Sequence, residues 1–150
     1  MTVTILGIGV DLVHLPRIAN LLGRRDPERF ARRILSETEL LQWKDLDASR
    51  QAQFLGVRYV HFLDKVTDRL QLMCSWCVKE AAYKAFYPTV KPRWKELTYR
   101  GMLECRKPTL EYHPMEKEKA KKIERVHVSV SHDGEYVYSS VLIEGSLIIL

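Results

Sequence analysis

The sequence predicts an α+β domain with an antiparallel sheet, because strand-like stretches open and close the chain and helical stretches lie between them. The closing pair, 126–131 and 136–144, alternates apolar and polar residues as a β-hairpin does. Asp133-Gly134 between these stretches is a dipeptide typical of tight hairpin turns. A length of 150 residues suits one domain, 1–150, with a substantial hydrophobic core.

The first half of the chain predicts one strand followed by helices. Ser36 with Glu39 three residues later is a capping-box pattern, which opens a helix that extends to about Lys44. Tyr87-Pro88 ends the last helix, because the residue before a proline disfavours the helical conformation. In order, the predicted elements are a strand at 3–10, helices at about 12–22, 27–35 and 36–44, and a long helical region at about 48–86.

The second half of the chain predicts the remaining strands and one charged helix. Strands are predicted at about 96–104 and 109–112, before the closing hairpin. Between them and the hairpin, residues 114–123 are rich in lysine and glutamate, which favours an exposed helix.

Composition and charge indicate a globular protein with an acidic partner. Apolar residues make up 46% of the chain and charged residues 29%, which are globular values. The formal net charge of +5 favours an acidic protein or a phosphorylated cofactor as the partner. Nucleic acid is not expected, since the chain has neither zinc-finger spacing nor an aromatic-rich basic strand motif.

Cysteines and apolar runs exclude two further classes of protein. Three cysteines are too few for a secreted disulfide framework. Cys74 and Cys77 have the spacing of a redox motif but do not follow a strand, so we expect buried structural cysteines. We expect no membrane span, because no apolar run approaches the ~18 residues that a membrane helix needs.

Three side chains could together form a site for a metal ion and a phosphate group. Asp11 lies where the opening strand is predicted to end, and Glu80 and Lys84 share one helix face at a spacing of four residues. Two carboxylates suit Mg²⁺, and a lysine suits phosphate charge that the metal leaves uncompensated. The residues alone leave two alternatives open: Asp11 could cap the following helix, and Glu80 with Lys84 could be an ordinary surface pair.

Basic residues cluster in the predicted helix at 27–35 and just before it. Arg25, Arg29 and Arg33 follow one another at helical spacing, and Arg32 lies beside them. Like charges at this spacing repel, so the cluster favours an anionic partner opposite it. A solvated helix face is the alternative.

Four blocks of sequence resemble those of the holo-acyl-carrier-protein synthases, the small stand-alone 4′-phosphopantetheinyl transferases. The blocks occur in the family's order and span nearly the whole chain. They are GIGVDL (7–12) with Arg17-Ile18, FARRIL (30–35) with Glu37 and Glu39, KEAAYKA (79–85), and VSVSHD (128–133).

This resemblance implies the 4′-phosphopantetheinyl transferase fold in its short, single-repeat form, with an antiparallel sheet packed against a long helix. The implied reaction transfers 4′-phosphopantetheine from coenzyme A to a serine of acyl carrier protein for fatty acid synthesis. Asp11 and Glu80 would hold Mg²⁺, and Lys84 would stabilise the departing phosphate. The general base would be Glu80 or a metal-bound water. The alternative is an inactive protein that still binds acyl carrier protein or coenzyme A.

The resemblance also implies the roles of residues outside this centre. Ser131 and His132, in a loop after the closing strand, would contact coenzyme A. Carrier-protein binding would fall to four arginines, which are Arg17, Arg29, Arg32 and Arg33. Short members of the family form homotrimers with each site at a subunit interface, so we expect a homotrimer.

Two departures from the family pattern concern the middle of the chain. Residues 59–75 stand between segments that are adjacent in typical members, so they are an insertion or a translated intron, and we favour the intron. Phe86-Tyr87-Pro88 and Trp94 replace a glycine-rich turn, which resembles the fungal mitochondrial branch. A mitochondrial location follows from that branch, but no arginine-rich presequence is evident at the N-terminus, so a cytoplasmic location is the alternative.

Overall fold

The computed structural model of the chain describes residues 3–24, 26–45, 66–101, 107–116 and 123–146. These residues form an α+β fold, as predicted. In chain order the elements are β1 (Val3–His14), α1 (Leu15–Gly23), α2 (Pro27–Ile34), α3 (Glu37–Lys44), α4 (Val66–Phe86), a 3₁₀ turn (Trp94–Glu96), β2 (Leu97–Arg100), β3 (Thr109–Tyr112), β4 (Arg125–Asp133) and β5 (Tyr136–Ser146).

The main sheet contains three antiparallel strands in the order β1-β5-β4. The predicted hairpin therefore supplies both β4 and the central strand β5. Gly134 adopts φ 51° in the turn that joins them, a conformation that glycine accepts without steric cost. Strands β2 and β3 form a second, two-stranded antiparallel sheet.

Helix α4 covers one face of the main sheet and forms the centre of the core with it. Ala81, Ala82 and Phe86 of the helix are fully buried, as are Val137 and Val141 of β5. The long helix packed against an antiparallel sheet is the arrangement predicted from the family resemblance. Helix α4 ends at Phe86, directly before Tyr87-Pro88, as the sequence predicts.

Strand β1 is longer than predicted, and this changes the local role of Asp11. The strand continues to His14, which pairs with Tyr136 at the start of β5, and α1 begins only at Leu15. The predicted strand end at residue 10 and helix start at residue 12 are therefore wrong. Asp11 pairs with Ser139 inside the sheet, so it is not the N-cap of a helix.

The face of the main sheet opposite α4 carries exposed apolar side chains. A β-bulge between Ile5 and Gly7 shifts the alternation of β1 by one residue. Because of this shift, both halves of the strand present apolar residues to the same face. We call this the open face; its exposed apolar residues are Val3, Ile5, Ile8, Val10, Leu12, Tyr136 and Tyr138.

Other predicted elements differ in extent or fall outside the described residues. Strand β2 is shorter than predicted, since Trp94–Glu96 forms a 3₁₀ turn and the strand ends at Arg100. Of the predicted helix at 114–123, the described residues 114–116 are not helical, and residues 117–122 lie outside the described part. Residues 59–65 of the predicted insertion lie outside the described part of the chain. Residues 66–75 form the first part of α4.

Among the described residues, none of the helices is both long and apolar enough to cross a membrane.

Candidate active site

The structure brings Asp11 of β1 into direct contact with Lys84 of α4. The Lys84 ammonium donates to Asp11 Oδ1 and to the carbonyl oxygen of Val10, both at 2.8 Å. Asp11 faces α4, and its side chain is only 17% exposed, whereas that of Lys84 is 50% exposed. The carboxylate thus lies in a shallow recess between strand and helix, and the lysine lies at its rim.

Two glycines of β1 permit this close approach of strand and helix. A Cβ atom on Gly9 would lie 2.0 Å from the carbonyl oxygen of Ala81, and one on Gly7 would lie 2.1 Å from that of Ala85. Neither side chain could be accommodated without moving backbone. Glycine in the GIG segment therefore lets α4 lie directly on β1, where the helix can present its polar residues to Asp11.

Glu80 lies one turn before Lys84 on α4 and shares the electrostatic environment of Asp11. Burial raises the pKa of the Glu80 carboxyl, the negative charge of Asp11 raises it further, and Lys84 acts in the opposite direction. All three residues that the sequence singled out are therefore coupled in one site. The two carboxylates repel each other there, so a cation between them would relieve that repulsion.

The donor set fits a magnesium ion. Mg²⁺ prefers hard oxygen ligands and commonly takes only one or two carboxylates from the protein. Asp11 and Glu80 supply two carboxylates, and in the described part of the chain no group of three or more His, Cys, Asp or Glu side chains forms a competing metal site.

Ser131 and His132 lie in β4 and not in the predicted loop. Strand β4 extends to Asp133, because its last residues still pair with β5. His132 pairs with the buried residue Val137, which places it on the α4 side of the sheet, whereas Ser131 pairs with Tyr138 on the open face. The structure thus places the two residues on opposite faces of the sheet, with β5 between them and β1.

The arginines predicted to bind the carrier protein are exposed on α1 and α2. Arg17 lies on α1, and Arg29 and Arg33 lie on α2. Arg32 is also exposed, but its guanidinium is bound by Glu28 one turn earlier, at 2.5 Å. Arg25 lies outside the described residues and precedes α2, which begins at Pro27, so the helical series contains only Arg29 and Arg33.

A buried ion pair next to the site was not predicted from the sequence. Lys79 Nζ lies 2.5 Å from Glu39 Oε2, and both side chains are almost fully buried. Burial lowers the pKa of Lys79, and the charge of Glu39 opposes that shift. The capping box indicated only the contact of Glu39 with Ser36. The sequence feature that could have indicated this buried ion pair is a lysine next to Val78 in an apolar stretch of helix.

Cys74 and Cys77 are free and buried, as predicted. Burial raises the pKa of the Cys77 thiol to about 11, so the group stays protonated near neutral pH. Its sulfur donates to the carbonyl oxygen of Asp11 at 3.3 Å and accepts from the hydroxyl of Ser139 at 3.2 Å. Cys77 therefore helps to hold the backbone of Asp11 against α4.

Known proteins are similar to this chain in both sequence and fold. The family model of the 4′-phosphopantetheinyl transferase superfamily matches residues 7–140. Holo-[acyl-carrier-protein] synthase of Bacillus subtilis is 33% identical over 140 residues, covering 93% of this chain and 96% of the relative. The mitochondrial 4′-phosphopantetheinyl transferase B of Aspergillus fumigatus is 34% identical over 150 residues, covering 93% and 94%.

A solved structure shows the same fold. The ACPS–CoA complex of Chronobacterium ammoniagenes superposes with a TM-score of 0.62 at 20% identity, covering 98% of this chain and all of that one. The sequence matches extend across the segments that carry Asp11, Glu80 and Lys84. The chain belongs to the 4′-phosphopantetheinyl transferase superfamily and is an enzyme of the holo-[acyl-carrier-protein] synthase type.

Proposed function

We propose that the chain performs a magnesium-dependent transfer of 4′-phosphopantetheine from coenzyme A to a serine of acyl carrier protein, for fatty acid synthesis. The observation that carries the proposal is the contact of Lys84 with Asp11 at 2.8 Å, with Glu80 one helical turn away. Two carboxylates and one ammonium in this arrangement support the binding of a pyrophosphate with its metal ion.

The reaction forms one phosphorus–oxygen bond and breaks another. The serine hydroxyl attacks the phosphorus atom that bears the pantetheine arm, and adenosine 3′,5′-bisphosphate departs with the electrons of the broken bond. Asp11 and Glu80 would hold Mg²⁺, which would neutralise part of the charge of the pyrophosphate. Lys84, which is half exposed, turns its ammonium from Asp11 toward the departing phosphate. The serine proton passes to Glu80 or to a water molecule at the site.

Carrier-protein recognition is assigned to the exposed arginines of α1 and α2. Arg17, Arg29 and Arg33 present guanidinium groups to solvent, and arginine suits bidentate pairing with carboxylates. Arg32 contributes less in this assignment, because Glu28 already satisfies part of its guanidinium. The partner that this surface fits is an acidic helix.

We assign the open face of the main sheet to a homotrimer interface. Five apolar residues of β1 and two tyrosines of β5 are exposed there, and exposed apolar patches of this kind mark interaction surfaces. In a trimer each site could draw on two subunits. Ser131 and His132, which lie across β5 from Asp11, would then complete the coenzyme A pocket of a neighbouring subunit.

Mitochondrial location is the remaining part of the proposal, with the cytoplasm as the alternative. Its support is the similarity to the mitochondrial enzyme of Aspergillus fumigatus, which belongs to the branch that the sequence resembles. Imaging of the tagged full-length protein in its own cells would show which compartment holds it.

The test of the proposed function is a mass measurement on apo-acyl carrier protein. Incubation with the chain, coenzyme A and Mg²⁺ should add the mass of one phosphopantetheine arm to the carrier protein, and excess chelator should prevent the gain. Carrier protein that binds without gaining mass would support the inactive binding protein instead. Full activity in chelator would contradict the metal assignment alone.

A further inference from the structure

The buried pair of Lys79 and Glu39 joins the helix with the carrier-binding arginines to the helix with Glu80. Lys79 lies on α4, immediately before Glu80. Its ammonium donates to the carbonyl oxygen of Ile34 at 2.8 Å, to Glu39 at 2.5 Å and to the carbonyl oxygen of Trp94 at 3.3 Å. An ammonium has three protons to donate, so these partners use its full capacity. One of the three, Ile34, is the last residue of α2.

Glu39 is equally well bound on the other side of the pair. One carboxylate oxygen accepts from Lys79 and from the amide of Ser36 at 2.8 Å. The other accepts from the Ser75 hydroxyl at 2.8 Å and from the amide of Tyr99 at 3.3 Å. The carboxylate therefore connects α3, α4 and β2, and both of its oxygens have donors.

Aromatic packing forms a second connection between the same two helices. Phe30 of α2 stacks on Trp76 of α4, with ring centroids 5.3 Å apart and planes 3° apart. Trp76 in turn packs against Trp94 at 5.2 Å. Phe30 follows Arg29 directly, so the inner side of the arginine helix is held against the helix that carries Glu80.

A buried ion pair contributes little net stability, because removing both charges from water offsets most of their attraction. Its many directed hydrogen bonds nevertheless fix the relative position of the elements that it joins. We infer that Lys79 and Glu39 are positioning residues that hold the carrier-binding helix α2 at a set position relative to the catalytic helix α4. The inference rests on the proposed function and concerns only how a docked carrier protein is aligned.

If α2 aligns the docked carrier protein, loosening this helix should affect transfer to two kinds of acceptor differently. A whole carrier protein docks on α2 and needs its serine to meet the site, whereas a short peptide with the same serine does not depend on α2. Loosening α2 should therefore slow transfer to the carrier protein and leave transfer to the peptide nearly unchanged. A lower fraction of folded enzyme would instead slow both transfers equally.

The experiment measures kcat/KM for both acceptors with the double variant Lys79→Met, Glu39→Gln, which leaves no unpaired buried charge. We expect transfer to the carrier protein to fall at least about tenfold and transfer to the peptide to change less than about twofold. Glu96→Gln is the matched control, because Glu96 is also buried but, within the described part of the chain, its carboxylate accepts only from the amides of Arg93 and Met115. The control should change the two transfers in the same proportion.

The single variant Lys79→Met provides a second measurement, because it leaves the Glu39 charge buried and should lower stability more than the double variant does. Equal losses for carrier protein and peptide in the double variant would overturn the inference, as would unchanged transfer to both. Failure of the unaltered chain to modify either acceptor would instead contradict the proposed function. The two failures are therefore distinguishable.

Discussion

Two of the three residues of the site, Asp11 and Glu80, lie next to residues that position them and do no chemistry. Asp11 is held against α4 because Gly9 leaves room for the helix, and Cys77 binds the Asp11 carbonyl. Glu80 follows the buried Lys79 on the same helix. The proposed site residues thus lie at a closely packed junction of strand and helix, as a precise metal and phosphate site would require.

Neutralising either carboxylate should abolish activity without unfolding the protein. Asp11→Asn and Glu80→Gln keep the shape of the side chain but remove a charged ligand of the proposed magnesium ion, so kcat should fall at least about 100-fold. Mass spectrometry of the carrier protein measures the rate, and circular dichroism checks the fold. Glu111→Gln, on the other sheet, is the control and should keep near-normal activity. Normal transfer by either site variant would exclude that residue as a ligand.

The raised pKa of Glu80 predicts how stability without metal depends on pH. A carboxyl whose pKa is raised by folding holds its proton more tightly in the folded state. Its contribution is therefore full below the ordinary value of 4.5 and is lost as pH rises through the raised pKa. Urea unfolding in chelator should show that Glu80→Gln gains stability over the unaltered chain at about pH 7 more than at about pH 4. An equal difference at both pH values would contradict the shift.

Gly9→Ala should destabilise the protein strongly, because its Cβ atom would lie 2.0 Å from a backbone oxygen of α4. We expect a loss of about 3 kcal/mol in the free energy of unfolding, at the upper end for overpacking. Gly134→Ala is the matched control: nothing lies near its added Cβ, and only the cost of a positive φ remains, about 1–2 kcal/mol. Urea titration of both variants makes the comparison, and equal losses would argue against close packing at Gly9.

At the scale of elements, the sequence predicted order and type better than boundaries. The capping box at Ser36 and the Tyr87-Pro88 stop are local signals, and both helix limits are confirmed. The end of β1 was mispredicted because Leu12 and Val13 fit a helix as well as a strand. Pairing with β5, a long-range contact, stabilises the strand conformation of these two residues.

The distinction between local signals and long-range contacts also holds for the candidate site. Spacing along one helix predicted that Glu80 and Lys84 share a face, and the structure brings Asp11 of the apolar strand β1 to them. The ion pair of Lys79 with Glu39 could not, because its partners are 40 residues apart in the chain and meet only through packing. The placement of Ser131 and His132 on opposite faces likewise depends on strand pairing.

Helix α2 should determine affinity for the carrier protein and not for coenzyme A. The double variant Arg29→Glu, Arg33→Glu should raise KM for the carrier protein at least about tenfold, because attraction becomes repulsion, and change KM for coenzyme A less than about twofold. Added salt should weaken carrier binding of the unaltered chain, since exposed charges are screened beyond about 10 Å at 0.1 M. The control is the double variant Lys91→Glu, Lys107→Glu, which changes the net charge by the same amount at positions outside α1 and α2. Matching effects of the two double variants would indicate net charge and not a defined surface.

At the scale of the whole molecule, the main sheet has two apolar faces, and among the described residues helix α4 covers one of them. Helix α4 buries the face that holds Asp11, and the open face retains exposed side chains from both β1 and β5. Exposed apolar patches of this kind are typical of interaction surfaces. The proposed threefold assembly would cover this one.

The proposed homotrimer predicts complementation between two inactive subunits. Subunits with Asp11→Ala and subunits with His132→Ala should each be inactive or weak alone. Mixed trimers should recover activity, because some sites then combine an intact Asp11 with an intact His132 from the neighbour. Light scattering measures the assembly, with Ile8→Glu on the open face expected to dissociate it. A fully active monomer at the assay concentration would overturn the prediction.

Because Phe30 packs on Trp76, the junction of α2 and α4 can be followed in solution by tryptophan fluorescence. Two of the three tryptophans of the chain, Trp76 and Trp94, belong to this cluster. Indole emission changes wavelength and intensity with the polarity and the neighbours of the ring, so any movement of α2 away from α4 alters the intrinsic fluorescence of the protein. The chain therefore carries its own optical probe at the junction of the proposed carrier-binding helix and the proposed catalytic helix, and stopped-flow mixing could follow carrier docking without an added label.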